Sequence, residues 1–179
     1  MGKNKICKCG AEFEPVKRPN STIKSNKCFK CLASGQRKKD WINERKYLKE
    51  KTLTKTDWLD ALQVIFNTYI RERDKNDNCI SCGKTSNRYD AGHYYAVGNY
   101  SALRFNEDNT NKQCSFYCNK SLHGNFHEYT IRLKQKIGEE RVKWLEEHRH
   151  DTLEISIEEI KEQMKVYKVK IAELKLSTL

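Results

Sequence analysis

The fold is decided by two segments, Cys79-Ile80-Ser81-Cys82 and Cys114-Ser115-Phe116-Tyr117-Cys118-Asn119. A closely spaced pair of cysteines supplies two adjacent thiolate ligands from one turn, and thiolates bind Zn²⁺ tetrahedrally. The two pairs together predict one structural zinc site, held by Cys79, Cys82, Cys114 and Cys118. The metal would stabilise a small unit whose hydrophobic core is modest.

The other four of the eight cysteines also form close pairs. They are Cys7, Cys9, Cys28 and Cys31, and the loop between the two pairs is typical of a zinc ribbon. Residues 1–5 are polar and basic, and no apolar signal region follows them, so we expect a reducing compartment, the cytoplasm. A reducing compartment favours zinc over disulfide bonds. We therefore predict one or two structural zinc ions.

The net charge of +11 is concentrated in the first third of the chain. Residues 1–51 contain fifteen Lys and Arg against five Asp and Glu, whereas the remaining residues contain twenty against nineteen. A segment of this charge density attracts polyanions, so nucleic acid is the expected partner. A basic surface that serves only solubility is the alternative. No apolar run is long enough to span a membrane, and no membrane partner is expected.

Local patterns predict an α+β fold. A helix capped by Thr56 precedes the first cysteine pair of the zinc unit, because apolar residues recur there at helical intervals. Short aromatic segments at Tyr89–Val97 and Leu103–Phe105 predict two strands joined by a loop. A helix from Asn119 to Ile137 should follow them. The predicted order is thus strand, loop, strand and helix around one zinc site.

The chain divides into three predicted parts. Residues 1–51 form a basic, zinc-ribbon-like DNA-binding module that ends in a helical linker. Residues 52–150 contain the second zinc unit with its flanking helices. Residues 151–179 form an amphipathic helix with apolar residues three and four apart, which either joins two chains as a homodimer or packs on its own domain.

Polar residues between the zinc-type pairs are suited to phosphodiester hydrolysis. His93 titrates near neutrality and is the candidate general base, and Asn109 could orient its imidazole. Asp90 and Asn119 offer oxygen ligands for a catalytic Mg²⁺ or Mn²⁺. His123 is a further candidate ligand, with a histidine that merely faces solvent as the alternative. The pattern indicates a metal-dependent nuclease.

The order Cys-x2-Cys, Gly-His, Asn and Cys-x3-Cys-Asn resembles that of the zinc-stapled HNH endonucleases. Resemblance to them implies a ββα-metal fold, with the general base on the first strand and a metal ligand on the helix. Gly92 departs from the pattern, since many HNH enzymes have a metal-binding Asp or His directly before the base. A tighter similarity is to the phage recombination protein family NinG, also called Rap. The segments that carry it are Trp58 to Arg73, Cys79 to Gly83, Ala91 to Tyr94, Leu103 to Phe105, Asn109, Gln113-Cys114, Cys118-Asn119 and Gly124-Asn125.

This resemblance implies a structure-selective DNA endonuclease that hydrolyses branched recombination intermediates, such as Holliday junctions and D-loops, in the host cytoplasm. Residues 52–150 would then be the HNH-type nuclease domain. We expect Arg88, Arg104 and Lys112 to bind flanking phosphates. Two alternatives remain open: a non-enzymatic zinc-dependent DNA-binding recombination accessory protein, and a zinc-stapled adaptor that binds other proteins.

Overall fold

The computed structural model describes residues 4–15 and 27–177. Contacts divide the chain into two compact units, Met1–Leu53 and Thr54–Leu179, close to the first boundary predicted from the sequence. In the described residues, each unit combines a two-stranded antiparallel sheet with α-helix. The predicted mixture of helices and small sheets is therefore confirmed. None of the described helices is long and apolar enough to cross a membrane.

Unit 1 consists of a short hairpin and a long helix. Strands β1 (Lys5–Ile6) and β2 (Glu12–Phe13) pair antiparallel. Gly10 has a φ of +85° in the turn between them, a left-handed conformation that glycine adopts at little cost. Helix α1 (Phe29–Thr52) begins directly after Cys28 and contains Cys31. Most of its described side chains are exposed. Most of the loop predicted between the cysteine pairs lies outside the described residues.

Unit 2 sets a two-stranded sheet among helices. In chain order its elements are α2 (Lys55–Arg73), β3 (Tyr89–His93), β4 (Thr110–Cys114), α3 (Phe126–Ile137), α4 (Glu139–His148) and α5 (Ile157–Leu176). A 3₁₀ turn, Ser101–Leu103, lies between the strands, and a π-helical turn, Ser115–Ser121, follows β4. The chain thus has the predicted order of strand, loop, strand and helix, although the helix is interrupted after its first turns.

The start of α2 is fixed by a capping box. The Thr54 hydroxyl accepts a hydrogen bond from the backbone N–H of Asp57 at 3.2 Å, and the Asp57 carboxylate accepts one from the backbone N–H of Thr54 at 2.7 Å. The predicted cap at Thr56 is wrong, because the acidic residue that completes the box lies three positions after Thr54. The predicted apolar side of the helix is buried through Leu62, Phe66, Tyr69 and Ile70.

Two hydrophobic clusters form the core of unit 2. The first joins α2 to α5, and Ala91 of β3 packs against it. The second joins the residues that follow β3 to α3 and α4; its members include Tyr94, Leu103, Tyr129, Leu133 and Leu145. Because the chain from β3 to Tyr94 contacts both clusters, the hairpin is held from two directions.

The apolar seam of α5 packs on α2 of the same chain. Ile160 and Tyr167 are buried, and the Tyr167 ring meets the Phe66 ring edge-on with centroids 5.1 Å apart. Residues predicted as a separate C-terminal part therefore belong to unit 2. A homodimer would need a different surface from this seam.

The second strand of the sheet is not the predicted one. Leu103–Phe105 is not a strand, because Leu103 ends the 3₁₀ turn and is buried in the core. The strand is β4, whose residues are all buried although most are polar. Its backbone N–H at Lys112 donates to the Asp74 carboxylate at 3.0 Å, and the Gln113 amide donates to the Ser81 hydroxyl at 2.5 Å. Hydrogen bonds rather than apolar contacts explain this burial, so hydrophobic periodicity could not reveal it.

Candidate metal centres and active site

The four thiols predicted as a zinc site in unit 2 come together. The sulfurs of Cys79, Cys82, Cys114 and Cys118 lie within 4.8 Å of one another. The backbone N–H of Cys114 donates to the Cys79 sulfur, and that of Cys118 donates to the Cys114 sulfur, both at 3.3 Å. Burial raises the pKa of the Cys79 thiol. Hydrogen bonds from neighbouring backbone N–H groups lower it by a larger amount, so the pKa lies below its ordinary value. Buried thiols with such N–H donors could hold a structural zinc ion.

The second predicted thiol group forms in unit 1. The sulfurs of Cys7, Cys9, Cys28 and Cys31 also lie within 4.8 Å of one another, and those of Cys9 and Cys28 are 3.6 Å apart. Sulfurs bound tetrahedrally to one zinc ion at about 2.3 Å lie about 3.8 Å from each other, so the spacing fits the metal. Hydrogen bonds from the backbone of Cys9 and Cys28 lower the pKa of Cys7 to about 6. The one-residue spacing of the first pair does not prevent chelation.

A carboxylate and an amide meet next to the cysteine cluster of unit 2. Asp90 of β3 accepts hydrogen bonds at one oxygen, Oδ2, from the Ser115 hydroxyl at 2.6 Å and from the Asn119 side-chain amide at 2.9 Å. Both donors belong to the π-helical turn that also carries Cys118. The sequence predicted Asp90 and Asn119 as neighbours, and they are in contact. Ser115 was missed, although its position directly after a ligand-type cysteine was a signal.

The Asp90–Asn119 pair has the right chemistry for a hard divalent cation. Partial burial raises the pKa of the Asp90 carboxyl, but hydrogen bonds from Ser115 and Asn119 and the charges of Lys120 and Arg88 bring it below the ordinary value. The carboxylate is therefore ionised at neutral pH. In the described structure no hydrogen bond engages its other oxygen or the amide oxygen of Asn119. Carboxylate and amide oxygens are the ligands that Mg²⁺ and Mn²⁺ prefer.

His123 lies in the exposed turn before α3, with a φ of +47°. Among the described residues, its side chain makes no hydrogen bond to Asp90 or Asn119. Its predicted role as a ligand of the divalent cation stays a prediction.

The imidazole of His93 is held by a backbone carbonyl. Its Nε2 lies 3.1 Å from the carbonyl oxygen of Arg104, which can only accept a hydrogen bond. Nε2 must therefore carry the proton, and Nδ1 keeps a free lone pair in the neutral ring. Burial lowers the pKa of His93, and the charge of Arg104 adds to this, so its pKa lies below the ordinary 6.5. The ring is a neutral base at pH 7.

His93 and the Asp90–Asn119 pair lie along one strand without touching. Asp90 and His93 are three residues apart in β3, so their side chains leave opposite faces of the strand and their α-carbons are about 10 Å apart. In the described residues β3 pairs with β4 alone. Helix α2 and the π-helical turn also contact β3.

Asn109 has a different role from the predicted one. Its side chain is buried and accepts from the backbone N–H of Tyr95 at 2.8 Å, while its amide donates to the carbonyls of Tyr95 and Leu103 at 3.0 and 3.1 Å. These bonds occupy both amide hydrogens and the amide oxygen, and the Asn109 side chain does not bond the His93 imidazole. Asn109 instead fixes the segment that carries the Arg104 carbonyl, and so acts on His93 through that carbonyl.

Two of the three predicted phosphate-binding cations have partners inside the protein. The Arg104 guanidinium donates to Gln63 and Asp60 of α2, each at 2.8 Å. The buried Lys112 donates to the carbonyl of Lys75 at 2.8 Å, and its ammonium lies 4.2 Å from the centre of the Tyr89 ring. These contacts give both residues a structural role, which differs from their predicted role in phosphate binding. Arg88 is exposed and keeps its predicted role as a proposal.

The space beside Gly92 is filled by Gln113. A β-carbon at Gly92 would overlap the Gln113 side-chain oxygen and would lie 2.9 Å from its Cβ and 3.0 Å from its Cδ. The Gln113 amide is held by the Ser81 hydroxyl and by the Gly124 carbonyl, so it cannot easily move away. Glycine directly before His93 is thus a packing requirement. Gln113 was missed from the sequence because nothing in its own neighbourhood signals it.

A Gly92→Ala variant should test this packing. We expect it to lose about 1–3 kcal/mol of unfolding free energy, because overpacking a filled site forces the neighbours apart. Urea titration followed by circular dichroism measures the loss. Gly98→Ala is the matched control, since a β-carbon there meets nothing within 4 Å. Equal stability of the two variants would contradict the packing role of Gln113.

Comparison with known proteins places these features in a family. A family model described as "Bacteriophage Lambda NinG protein" matches residues 3–176, which span both units. The chain belongs to the NinG family. The similarity to NinG seen in the sequence is thereby confirmed.

Individual NinG proteins are similar over part of their length. "Protein ninG" of Escherichia phage lambda is 40% identical over 121 residues, which cover 67% of this chain and 58% of the relative. The protein of the same name from Salmonella phage P22 is 44% identical over 82 residues, or 45% of this chain and 40% of the relative. The matched region thus covers less than two thirds of these relatives. No solved structure matches the chain.

Proposed function

We propose that this protein is a metal-dependent DNA endonuclease with an HNH-type ββα-metal core, formed by β3, β4 and the π-helical turn. One observation carries the proposal. An imidazole whose free nitrogen is fixed as Nδ1 lies on the same edge strand as an ionised carboxylate bonded to an amide. General base catalysis and cation binding are the two requirements of metal-assisted phosphodiester hydrolysis.

His93 would take the proton from the attacking water. The Arg104 carbonyl fixes the ring orientation, and the lowered pKa keeps Nδ1 unprotonated at neutral pH. A phosphate group bound beside β3 would lie between this base and Asp90. The strand spacing of about 10 Å between the two α-carbons is short enough for two side chains, a water and one phosphate to bridge.

Asp90 and Asn119 would hold the divalent cation, Mg²⁺ or Mn²⁺. When bound, the cation would neutralise charge on the phosphate and on the leaving oxygen. Ser115 contributes by fixing the Asp90 carboxylate. The other carboxylate oxygen of Asp90 and the amide oxygen of Asn119 therefore keep one orientation. The zinc-type thiol cluster holds the same turn through Cys114, directly before it, and Cys118, in its middle.

The DNA substrate is proposed from charge and from the resemblance to the NinG family. The basic excess of residues 1–51 and the exposed side chain of Arg88 suit a phosphate backbone. Branched recombination intermediates such as Holliday junctions and D-loops are the substrate class that the sequence resemblance implies. The basic unit 1 would then bind one duplex arm, with unit 2 at the scissile strand.

A cleavage assay with the full-length protein tests this function. We expect nicking of a labelled four-way junction in Mg²⁺ or Mn²⁺, and no nicking when neither ion is added. A linear duplex of the same sequence should be cut more slowly. DNA binding that weakens steeply with salt, without cleavage in either ion, would instead support the accessory-protein alternative.

A further inference from the structure

Two adjacent aromatic side chains of unit 2 are unusually exposed. Phe116 is 77% exposed and Tyr117 is 59% exposed, although both belong to the turn between the buried residues Ser115 and Cys118. In the described part of the chain, neither ring makes an aromatic contact and the Tyr117 hydroxyl has no hydrogen-bond partner. Adjacent exposed apolar side chains are a candidate binding surface, because contiguous apolar patches on a protein surface mark interaction sites.

The backbone beneath these rings is fixed. Ser115 donates to Asp90, and the Cys118 N–H donates to the Cys114 sulfur, so hydrogen bonds hold the turn on both sides of the rings. Rigid aromatic side chains bind with little loss of conformational entropy. The two side chains, called the platform below, therefore project from a turn whose backbone is fixed.

The surroundings of the platform are cationic. Phe116 and Tyr117 line an open hollow of about 440 Å³ whose other walls are Lys84, Thr85, Ser86 and two members of the thiol group, Cys82 and Cys114. Lys120, in the same turn, and Arg88, directly before β3, are exposed and close enough to lower the pKa of the Asp90 carboxyl. Aromatic rings among cations match a nucleotide, which combines a flat base with a phosphate.

The position of the platform ties it to the proposed site. Phe116 directly follows Ser115, and Tyr117 lies two residues before Asn119, so the rings arise between the two side chains that hold Asp90. Residues one or two positions apart on a helical turn face different sides, so these rings point away from the side that holds Asp90. A base on them would belong to a nucleotide that neighbours the one whose phosphate lies at Asp90.

We infer that Phe116 and Tyr117 stack an unpaired base next to the scissile phosphate, and that Lys84 binds the phosphate of that nucleotide. The inference rests on the proposed endonuclease function and specifies how branched DNA is distinguished from duplex. Bases inside a duplex are stacked on each other and offer no free face, whereas a junction or a gap exposes one.

Binding measurements on the full-length protein test the inference. The probes are a fluorescein-labelled duplex with a short single-stranded thymidine gap and a fully paired duplex of equal length, measured by anisotropy without added Mg²⁺ or Mn²⁺. We expect the Phe116→Ala/Tyr117→Ala variant to bind the gapped DNA about 5- to 150-fold more weakly, the range for loss of one stacked base. Its affinity for the paired duplex should change less than twofold. Unchanged zinc content would show that the turn is intact.

Two further variants make the result specific. Phe116→Trp/Tyr117→Phe keeps both aromatic faces and should keep the preference for gapped DNA. Trp144→Ala removes another exposed aromatic side chain of unit 2, which stacks on His148, and should leave both affinities unchanged. Equal losses on gapped and paired DNA, or no preference in the unmodified protein, would overturn the inference. The Phe116→Ala/Tyr117→Ala variant could lose the preference for gapped DNA while the unmodified protein fails to cleave any DNA. That result would uphold the platform and refute the endonuclease function.

Discussion

A His93→Gln variant is expected to cleave branched DNA about 100- to 10,000-fold more slowly than the unmodified protein, the usual contribution of a general base. Glutamine can still donate a hydrogen bond to the Arg104 carbonyl, so the loop should keep its place while the basic nitrogen is lost. Single-turnover cleavage of a labelled junction in Mg²⁺ measures the rate. DNA affinity should stay the same, because the ring is not a phosphate-binding cation.

The matched control for this variant is His127→Gln. His127 is exposed on α3, where its side chain has no hydrogen-bond partner among the described residues, so we expect an unchanged rate. Cleavage by His93→Gln within twofold of the unmodified protein would remove the imidazole from the mechanism. The same rate loss in both variants would indicate a general effect of the substitutions instead.

The pH dependence of cleavage follows from the same ring. Burial lowers the pKa of His93 below 6.5, and the unprotonated form is the active one. The rate should therefore be level from pH 8 to 6.5 and should fall only at lower pH. The free energy of unfolding should also fall at low pH. Below pH 6.5 the His93 side chain binds a proton more readily in the unfolded chain than in the folded one, so unfolding becomes easier as the pH falls.

A Cys118→Ser variant is expected to lose the fold of unit 2. Cys118 is fully buried among the other three thiols, and a structural zinc ion in such a group contributes on the order of 10 kcal/mol at pH 7. This is comparable to the whole unfolding free energy of a domain, about 5–15 kcal/mol, so loss of one ligand should abolish cooperative unfolding of the unit. Thermal unfolding and zinc content by mass spectrometry provide the two readouts.

Cys31→Ser is the comparison that separates the two thiol groups. Cys31 belongs to the group of unit 1, so this variant should also lose one zinc ion per chain but should keep the unfolding transition of unit 2. We expect two zinc ions in the unmodified protein. Retention of the unit 2 transition in Cys118→Ser would show that its hydrophobic clusters are sufficient without the metal.

The features that the sequence predicted are those with short-range signals. Close spacing of cysteines identified both thiol groups, and helical periodicity identified the buried side of α2. The neighbouring positions of Cys118 and Asn119 also indicated that the amide belongs to the turn that carries a thiol of the cluster. Each of these depends on residues within one or two turns of one another.

The features that the sequence did not predict depend on long-range hydrogen bonds. Strand β4 lacks an apolar pattern, and the partners that bury it, such as Asp74 and Ser81, lie more than thirty residues away. The internal roles of Arg104 and Lys112 could not be read from their charge for the same reason. Asn109 was expected to bond the His93 imidazole, but its side chain instead donates to the Leu103 carbonyl in the loop that holds the ring.

The polar strand β4 also limits how this protein can vary. Asn111 accepts from Arg73 at 3.2 Å and donates to the Tyr129 hydroxyl at 3.2 Å, so its side chain connects the strand to both α2 and α3. Gln113 likewise disfavours any larger residue at position 92, because its side chain fills the space beside Gly92. Tolerated substitutions in this strand should therefore occur in pairs or triples with their partners, and grafting the strand into another scaffold would require moving those partners as well.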